Sequence, residues 1–153
     1  MKKCLLPLFL LVYGLVFQSG CNSNGTIIVV GLRIELTGIE RTTDGTATVS
    51  WRVMNPNVAP YLLARTSHKI YLNGTLVGTT VDNEPMAVPA RNNAGKTSKL
   101  ILAGPAAGRL LAEAVGHGPV SYRLDSSLLV LIYNDTTEKS SLSSTGPVTV
   151  SSK

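Results

Sequence analysis

The chain has 153 residues, of which 44% are hydrophobic and 15% charged, and this composition is typical of one globular domain rather than a disordered chain. Aromatic residues make up only 5%, and the abundance of β-branched residues favours small all-β packing over a helical bundle. With Lys2 and Lys3 set aside, 12 basic and 9 acidic residues leave a scattered net charge of +3. No basic stripe interleaved with aromatic residues is present, so we expect no nucleic-acid partner.

Residues 1–20 have the pattern of a bacterial lipoprotein signal peptide. A short positive start is followed by the mostly apolar run Cys4–Phe17. This run is shorter than the roughly 20 residues that cross a bilayer, and it has the length of a signal-peptide apolar region. The next four residues, QSGC at 18–21, resemble a lipobox, in which the cysteine is alkylated by diacylglycerol and the chain is cut before it. The sequence therefore predicts a lipid on Cys21.

The lipobox has one departure, because Gln18 occupies a position that is normally aliphatic. The alternative is an ordinary cleaved secretory signal with an incidental cysteine. Gln18 fits the small-x-small rule of the ordinary peptidase no better, and Cys21 would otherwise be an unpaired thiol in an exported protein. Since Cys4 leaves with the signal, we expect no internal disulfide.

The predicted mature chain begins with the lipidated cysteine and a short polar tether, residues 21–26. Two or three acyl chains give stable anchoring to a membrane. Because position 22 is Asn and not Asp, transport to an outer membrane is compatible with the sequence. We expect an exported lipoprotein on the periplasmic face of the outer membrane.

From residue 27 to residue 152 the pattern is that of one β-rich domain. The β-branched run Ile27–Leu36 predicts a first strand, and the alternation in Thr46–Met54 predicts a second with Trp51 on its core side. The second strand stops at Asn55-Pro56-Asn57. Proline has no N–H for a sheet ladder, and asparagine side chains can satisfy local backbone groups. The three residues therefore predict a strand end with Asn55 as its cap.

The middle of the chain contains a β-hairpin signal. Strands at His68–Leu72 and Thr75–Thr80 flank Asn73-Gly74, which is the strongest short-range hairpin signal. Met86–Ala90 carries proline at or beside both ends and predicts a short edge segment, since proline is tolerated mainly at edges. Ser98–Ala103 is a further strand candidate.

One helix is predicted between Pro105 and Gly116. Proline suits a first helical position and glycine a helix end. Its narrow apolar face predicts packing on the sheets, and a membrane or partner helix is the alternative. Two strands are then predicted at Val120–Leu124 and Leu128–Tyr133, and a last one at Val148–Ser151. The polar segment Asn134–Ser144 is predicted to be a loop.

The sequence contains no recognisable catalytic, cofactor or metal motif. His68 and His117 have no Cys, Asp or Glu at metal-ligand spacing, so we expect no metal site. There is no G-x-S-x-G element, but a Ser-His-Asp arrangement assembled in space remains open at this point. Residues 91–96 include Gly95 and Lys96 but lack the ending of a phosphate loop. We expect a protein that is not an enzyme and has no cofactor.

The order of these elements resembles the group 2 late embryogenesis abundant (LEA) family, also called the WHy domain, for water stress and hypersensitive response. The resemblance spans about residues 27–152. Five segments carry it: VSWRVMNPN at 49–57, IYLNG at 70–74, VPA at 88–90, VSYRL at 120–124 and GPVTV at 146–150.

The resemblance implies an all-β fold, an immunoglobulin- or fibronectin III-like sandwich of about seven strands with one short helix. It also implies a role in desiccation and stress tolerance through non-catalytic protection of other proteins or of the envelope. No catalytic residues come with the family, and Asn55, Pro56, Asn57, Asn73 and Gly74 are its structural motif. The alternative is an assembly module of the cell envelope that binds one specific protein through a strand edge or loop. The sequence does not indicate an oligomeric state.

Overall fold

The structure is a computed structural model that describes residues 31–132 and 136–153. The predicted signal peptide, Cys21 and the tether lie outside the described residues. The described residues form ten elements: β1 (Arg33–Arg41), β2 (Ala47–Asn55), β3 (Tyr61–Leu72), β4 (Thr75–Asp82), β5 (Met86–Val88), β6 (Asn92–Leu102), α1 (Pro105–Ala114), β7 (Val120–Leu131), β8 (Thr137–Val148) and β9 (Val150–Ser152).

The strands are hydrogen-bonded along one continuous path, in the order β8-β7-β3-β4-β6-β2-β1-β9, and β5 pairs with β3 beside this path. The path forms two sheets. We call β1, β2, β6 and β9 the first sheet, and β3, β4, β5, β7 and β8 the second sheet. The strand β6 joins them, because residues 92–100 pair with β2 and only Ile101 and Leu102 pair with β4.

The fold is therefore all-β and sandwich-like, with one short helix, as the sequence predicted. The described residues contain nine strands where about seven were expected. In the closing region, the long β8 is the strand that the sequence did not predict, and only Thr149 separates it from β9.

The core lies between the two sheets and is built from alternate residues of each strand. In β2, Trp51 is buried as predicted, and so are Ala47, Val49 and Val53 on the same side of the strand. In β1 the alternation changes phase, because a register shift between Leu36 and Gly38 inserts an extra residue. Every second residue before the shift is buried, and burial resumes three residues later at Ile39.

The helix α1 packs on the core, as the sequence predicted. It begins with proline at its first position and buries Ala107, Leu111 and Ala114. Gly116, two residues after its end, has a φ of +75°, which suits glycine beyond a helix end. In the parts of the chain that the structure describes, no helix is long and apolar enough to cross a membrane.

Several predicted boundaries were wrong. The loop predicted at Asn134–Ser144 is largely strand, since β8 begins at Thr137. Its side chains are mainly polar on both faces, so the sequence lacks the apolar alternation that marks a half-buried strand. The strand instead follows from its full backbone ladder with β7. The two strands predicted after the helix form the single strand β7, and β3 and β6 both begin earlier than predicted.

Candidate functional site

The side chain of Asn55 caps the end of β2 and connects three segments. It is 2% exposed. Its Nδ2 donates to the carbonyl oxygens of Ala59 at 2.8 Å and Pro89 at 3.1 Å, and its Oδ1 accepts from the backbone N–H of Asn57 at 2.9 Å. A further carbonyl, that of Val88, lies at 3.5 Å. One amide therefore holds the loop after β2 and the segment after β5 against the strand end.

Pro56 and Asn57 continue the same end of the sandwich. The carbonyl of Asn57 accepts from the backbone N–H of Arg91 at 2.9 Å, and Arg91 has a φ of +51°, which is uncommon for a residue other than glycine. A shallow depression of about 460 Å³ lies here, lined by Arg33, Met54, Asn55, Pro56, Arg91, Asn92 and Asn93. The hydrogen bond between Arg91 and Asn57 holds the segment before β6 against the loop after β2. Gly31, just before β1, lies against Pro56.

Asn73 and Gly74 form the hairpin turn between β3 and β4. Both have positive φ, +47° and +82°, as a two-residue turn of this kind requires. Because β3 has 12 residues, this turn lies roughly 35 Å from the Asn55 cap, at the other end of the molecule. The motif residues are therefore not brought together into one site. The predicted lipidation residue, Cys21, lies outside the described residues.

A group of buried polar side chains lies inside the sandwich around His68. The imidazole is 2% exposed, its Nδ1 is 2.8 Å from the Oγ of Ser126, and its ring centre is 4.5 Å from that of Trp51. The indole Nε1–H of Trp51 donates in turn to the Oγ of Ser98 at 3.1 Å. Thr80 on β4 is paired in register with His68 and is also buried.

Burial lowers the pKa of His68 from 6.5 to about 4, and the nearby Asp82 carboxylate opposes this shift. A hydrogen bond from Lys96 lowers the pKa of Asp82. The Nζ of Lys96 lies 2.7 Å from Asp82 and 2.8 Å from Glu84. Lys96 therefore lies on β6 and forms ion pairs with Asp82 and Glu84. The sequence around it resembles a phosphate loop only by chance.

The His68 and Ser126 pair does not have the geometry of an accessible nucleophile and base. Both side chains are buried, His68 at 2% and Ser126 at 5% exposure. His117, the second histidine, lies in the turn after α1, and its Nδ1 is 3.1 Å from the Val115 carbonyl. Among the described residues there is no cluster of three or more His, Cys, Asp or Glu that could hold a metal ion.

An open cavity lies on the outer face of the second sheet, and His68 and Ser126 are among the residues that line it. It has a volume of about 580 Å³ and crosses β4, β3, β7 and β8. A second cavity of about 330 Å³ adjoins it and shares two of its lining residues, Ser67 and Ser127. Sequence reasoning did not find this surface, because its residues come from four strands and only the strand register aligns them.

Comparisons with known proteins show a similarity of fold and do not assign the chain to a family. No protein-family model matches the chain, and no curated protein matches it. Among solved structures, the chain is similar to the solution structure of AT1g01470 from Arabidopsis thaliana, with 13% identity, 76% of each chain covered and a TM-score of 0.50.

Two further structures are similar at a lower TM-score of 0.48. One is a protein from Archaeoglobus fulgidus, with 15% identity over 78% of this chain and 94% of that chain. The other is At2g46140.1, a candidate late embryogenesis abundant (LEA) protein, with 12% identity over 84% of this chain and 76% of that chain. An identity of 13% shows a shared fold alone.

Proposed function

We propose that this protein is a membrane-anchored LEA type 2 (WHy-domain) lipoprotein that protects other proteins or the envelope, without catalysis, during drying and related stress. The observation that carries the proposal is the all-β, sandwich-like fold with its strand end at Asn55, as the resemblance to the LEA family implies. The order of the five sequence segments described above supports the WHy assignment, and the lipobox at residues 18–21 supports the membrane anchor.

Protection of this kind calls for weak contacts with many partners. A small apolar patch on the outer face of the second sheet suits that role. Ile101 is 60% exposed and Val81 is 47% exposed, and both flank Thr79, which is paired with Ile101 in register. Leu76, at 36%, lies on the same strand as Val81. Isolated exposed apolar residues are ordinary on protein surfaces, but Val81 and Ile101 lie on neighbouring strands and together offer a partner some apolar area.

The test is the drying of several unrelated enzymes, such as lactate dehydrogenase and malate dehydrogenase, with the chain from residue 22 onward. We expect the chain to preserve more enzyme activity after rehydration than an equal mass of serum albumin. The double variant Val81→Ser/Ile101→Ser should protect less. Val58→Ser is the matched control, because Val58 is 73% exposed but lies in the loop after β2. No protection of any client would contradict the proposal.

The anchor has a separate test. Cys21→Ser should release the protein from membranes and abolish labelling by a radioactive or clickable fatty acid. The matched control is Cys4→Ser, which lies in the predicted signal peptide and should leave both labelling and membrane association unchanged. If Cys21→Ser stays in the membrane fraction, the lipid anchor is wrong.

A second candidate function is an envelope assembly module that docks to one protein through a strand edge. The observation that favours it is β8, which has 12 residues and stands at one end of the strand order. An edge strand presents unpaired backbone groups that another chain can extend. Crosslinking in intact cells should then recover one dominant partner. Recovery of many proteins in similar amounts would favour the protective role instead.

A further inference from the structure

The strand register arranges the outward side chains of the second sheet in rows. Ser67 on β3 is paired with Ser127 on β7, and Ser127 is paired with Ser141 on β8. Three serines therefore lie side by side across three neighbouring strands. Because strands are spaced about 4.8 Å apart, the three Cα atoms span roughly 10 Å. Serine side chains are short, so this row is low compared with the rows beside it.

Larger side chains form a wall on each side of the serine row. On one side Arg65 is paired with Leu129, and Leu129 with Lys139. On the other side Lys69 is paired with Asp125. The two cavities of about 580 and 330 Å³ share Ser67 and Ser127. The surface is therefore one continuous trough across the strands, with the serine row along its floor, and we call it the serine trough. Tyr71, Val81 and Leu142 also line its larger cavity.

The charge of the serine trough is positive. Its one carboxylate, Asp125, accepts a hydrogen bond from the Ser143 hydroxyl at 2.8 Å and lies 3.4 Å from the Nε of Arg123. That carboxylate is thus already partnered. Three cations remain, namely Arg65, Lys69 and Lys139, and none of them has a salt bridge within the described residues.

We propose that the serine trough binds a linear acidic polysaccharide, a chain of sugars that carry carboxylate groups. Serine hydroxyls both donate and accept hydrogen bonds, and this matches the hydroxyl groups of a sugar chain. Cations on both walls match carboxylates placed along that chain. The trough is open along its length, so a polymer can pass through it. This inference does not rest on the protective role proposed above, although Val81 of the apolar patch also lines the larger cavity.

The same features argue against two other anionic partners. Single-stranded nucleic acid is bound by aromatic rings on which bases stack, whereas the floor of the trough is serine. One aromatic side chain, Tyr71, lines the larger cavity, and one face of its ring is covered by Arg123, whose guanidinium carbon lies 3.9 Å from the ring centre. A flat lipid surface would meet the walls and leave the recessed serine row without a partner.

The test measures binding of the full chain, held in a nonionic detergent, to immobilised polygalacturonate by biolayer interferometry. Neutral dextran, polyphosphate and phosphatidylglycerol vesicles serve as comparison surfaces. We expect binding to polygalacturonate, none to dextran, and weaker binding to the other two anions. Lys69→Gln and Lys139→Gln should each weaken binding about tenfold, the effect of losing one charge-assisted hydrogen bond. Lys99→Gln, an exposed lysine on the first sheet, should have no effect.

The decisive variant is Ser127→Lys, which fills the middle of the trough and adds a positive charge. If the polysaccharide lies on the serine floor, binding should be lost. If binding is only diffuse attraction between charges, it should stay the same or become stronger, and the proposal would be overturned. Ser141→Lys repeats the test at a second floor position, with thermal unfolding as a check that each variant is folded. Equal binding to polyphosphate or to vesicles would also overturn the proposal.

Discussion

At the scale of single residues, the amide of Asn55 does more than end a strand. A strand that stops at proline leaves backbone carbonyls of the following loop in a buried place, and each needs a donor. The two N–H groups of Asn55 supply these donors for loops on both sides of it. A carboxylate of the same shape could accept from the backbone N–H of Asn57 but could not donate.

We predict that Asn55→Ala lowers the free energy of unfolding by about 2–3 kcal/mol, because it leaves buried carbonyl groups without donors. Asn55→Asp should cost at least as much, since it places a negative charge against the carbonyls of Ala59 and Pro89. Urea unfolding followed by the fluorescence of Trp51, the one tryptophan in the sequence, measures both. The control is Asn92→Ala, an exposed asparagine. A change near zero for Asn55→Ala would show that the cap does not stabilise the fold.

The lowered pKa of the buried His68 side chain predicts how the stability of the protein depends on pH. Its pKa is about 4 in the folded protein, compared with 6.5 for an unperturbed histidine. Between these values the unfolded state binds more protons than the folded state, so stability is lost as pH falls from 6.5 towards 4. We expect the free energy of unfolding to be about 2 kcal/mol lower at pH 5 than at pH 7.5.

Two variants check that assignment. His68→Gln should flatten the dependence between pH 7.5 and pH 5, because the buried titrating group is gone. His117→Gln should keep the full loss, since that histidine lies in an exposed turn. If His68→Gln retained the loss of about 2 kcal/mol, another group would be responsible for it.

At the scale of elements, the two sheets depend on a close approach between β4 and β6. A Cβ added at Gly78 would lie 2.5 Å from the Ile101 carbonyl oxygen and 2.8 Å from the Leu100 Cδ1. Beyond this point the two strands are joined through side chains, by the ion pair between Lys96 and Asp82. Glycine at position 78 is therefore what lets β6 pass from one sheet to the other.

We predict that Gly78→Ala destabilises the protein by about 2–3 kcal/mol, because the added methyl meets backbone as well as side chain. The matched control is Gly38→Ala on β1, where nothing lies within 4 Å of the added Cβ. That change should be neutral or slightly stabilising, since alanine restricts the unfolded chain more than glycine does. Equal midpoints of urea unfolding for the two variants would contradict this account.

The elements also show what the sequence could and could not predict. The Asn73-Gly74 turn, the core side of β2 and the helix α1 follow from local chemistry, and the sequence predicted all three. The strand β8 could not be found this way, because it lies at a sheet edge and its mainly polar side chains show no apolar alternation. The serine trough was missed for a related reason, since the alignment of Ser67 with Ser127 is a property of the register and not of either segment.

At the scale of the whole molecule, the short strand β9 closes the structure. It stands at one end of the strand order and β8 at the other, and only Thr149 separates the two in the chain. Val150 is 1% exposed and is paired with Ile39, and the backbone N–H of Lys153 donates to the Arg41 carbonyl at 3.0 Å. The three-residue strand β9 therefore attaches the end of β8, in the second sheet, to β1 at the edge of the first sheet.

We predict that deleting residues 150–153 lowers the free energy of unfolding by about 3 kcal/mol, from the lost burial of Val150 and the lost hydrogen bonds to β1. Hydrogen exchange should become faster in β1 and at the end of β8 together. Ser152→Ala, at an exposed position of the same strand, should change stability by less than about 0.5 kcal/mol. If hydrogen exchange became faster only in β1, β9 would not be connecting the two sheets.

The parallel pairing of β1 and β9 has a mechanical consequence. Both strands run away from the end of the molecule that contains Asn55, so the entry to β1 and the last residue of β9 lie towards opposite ends. A force that pulls residue 31 and residue 153 apart would load these two strands in shear. Their hydrogen bonds would then have to break together and not one after another. A pull along the lipid tether proposed at Cys21 would meet the same resistance when the domain is held at residue 153.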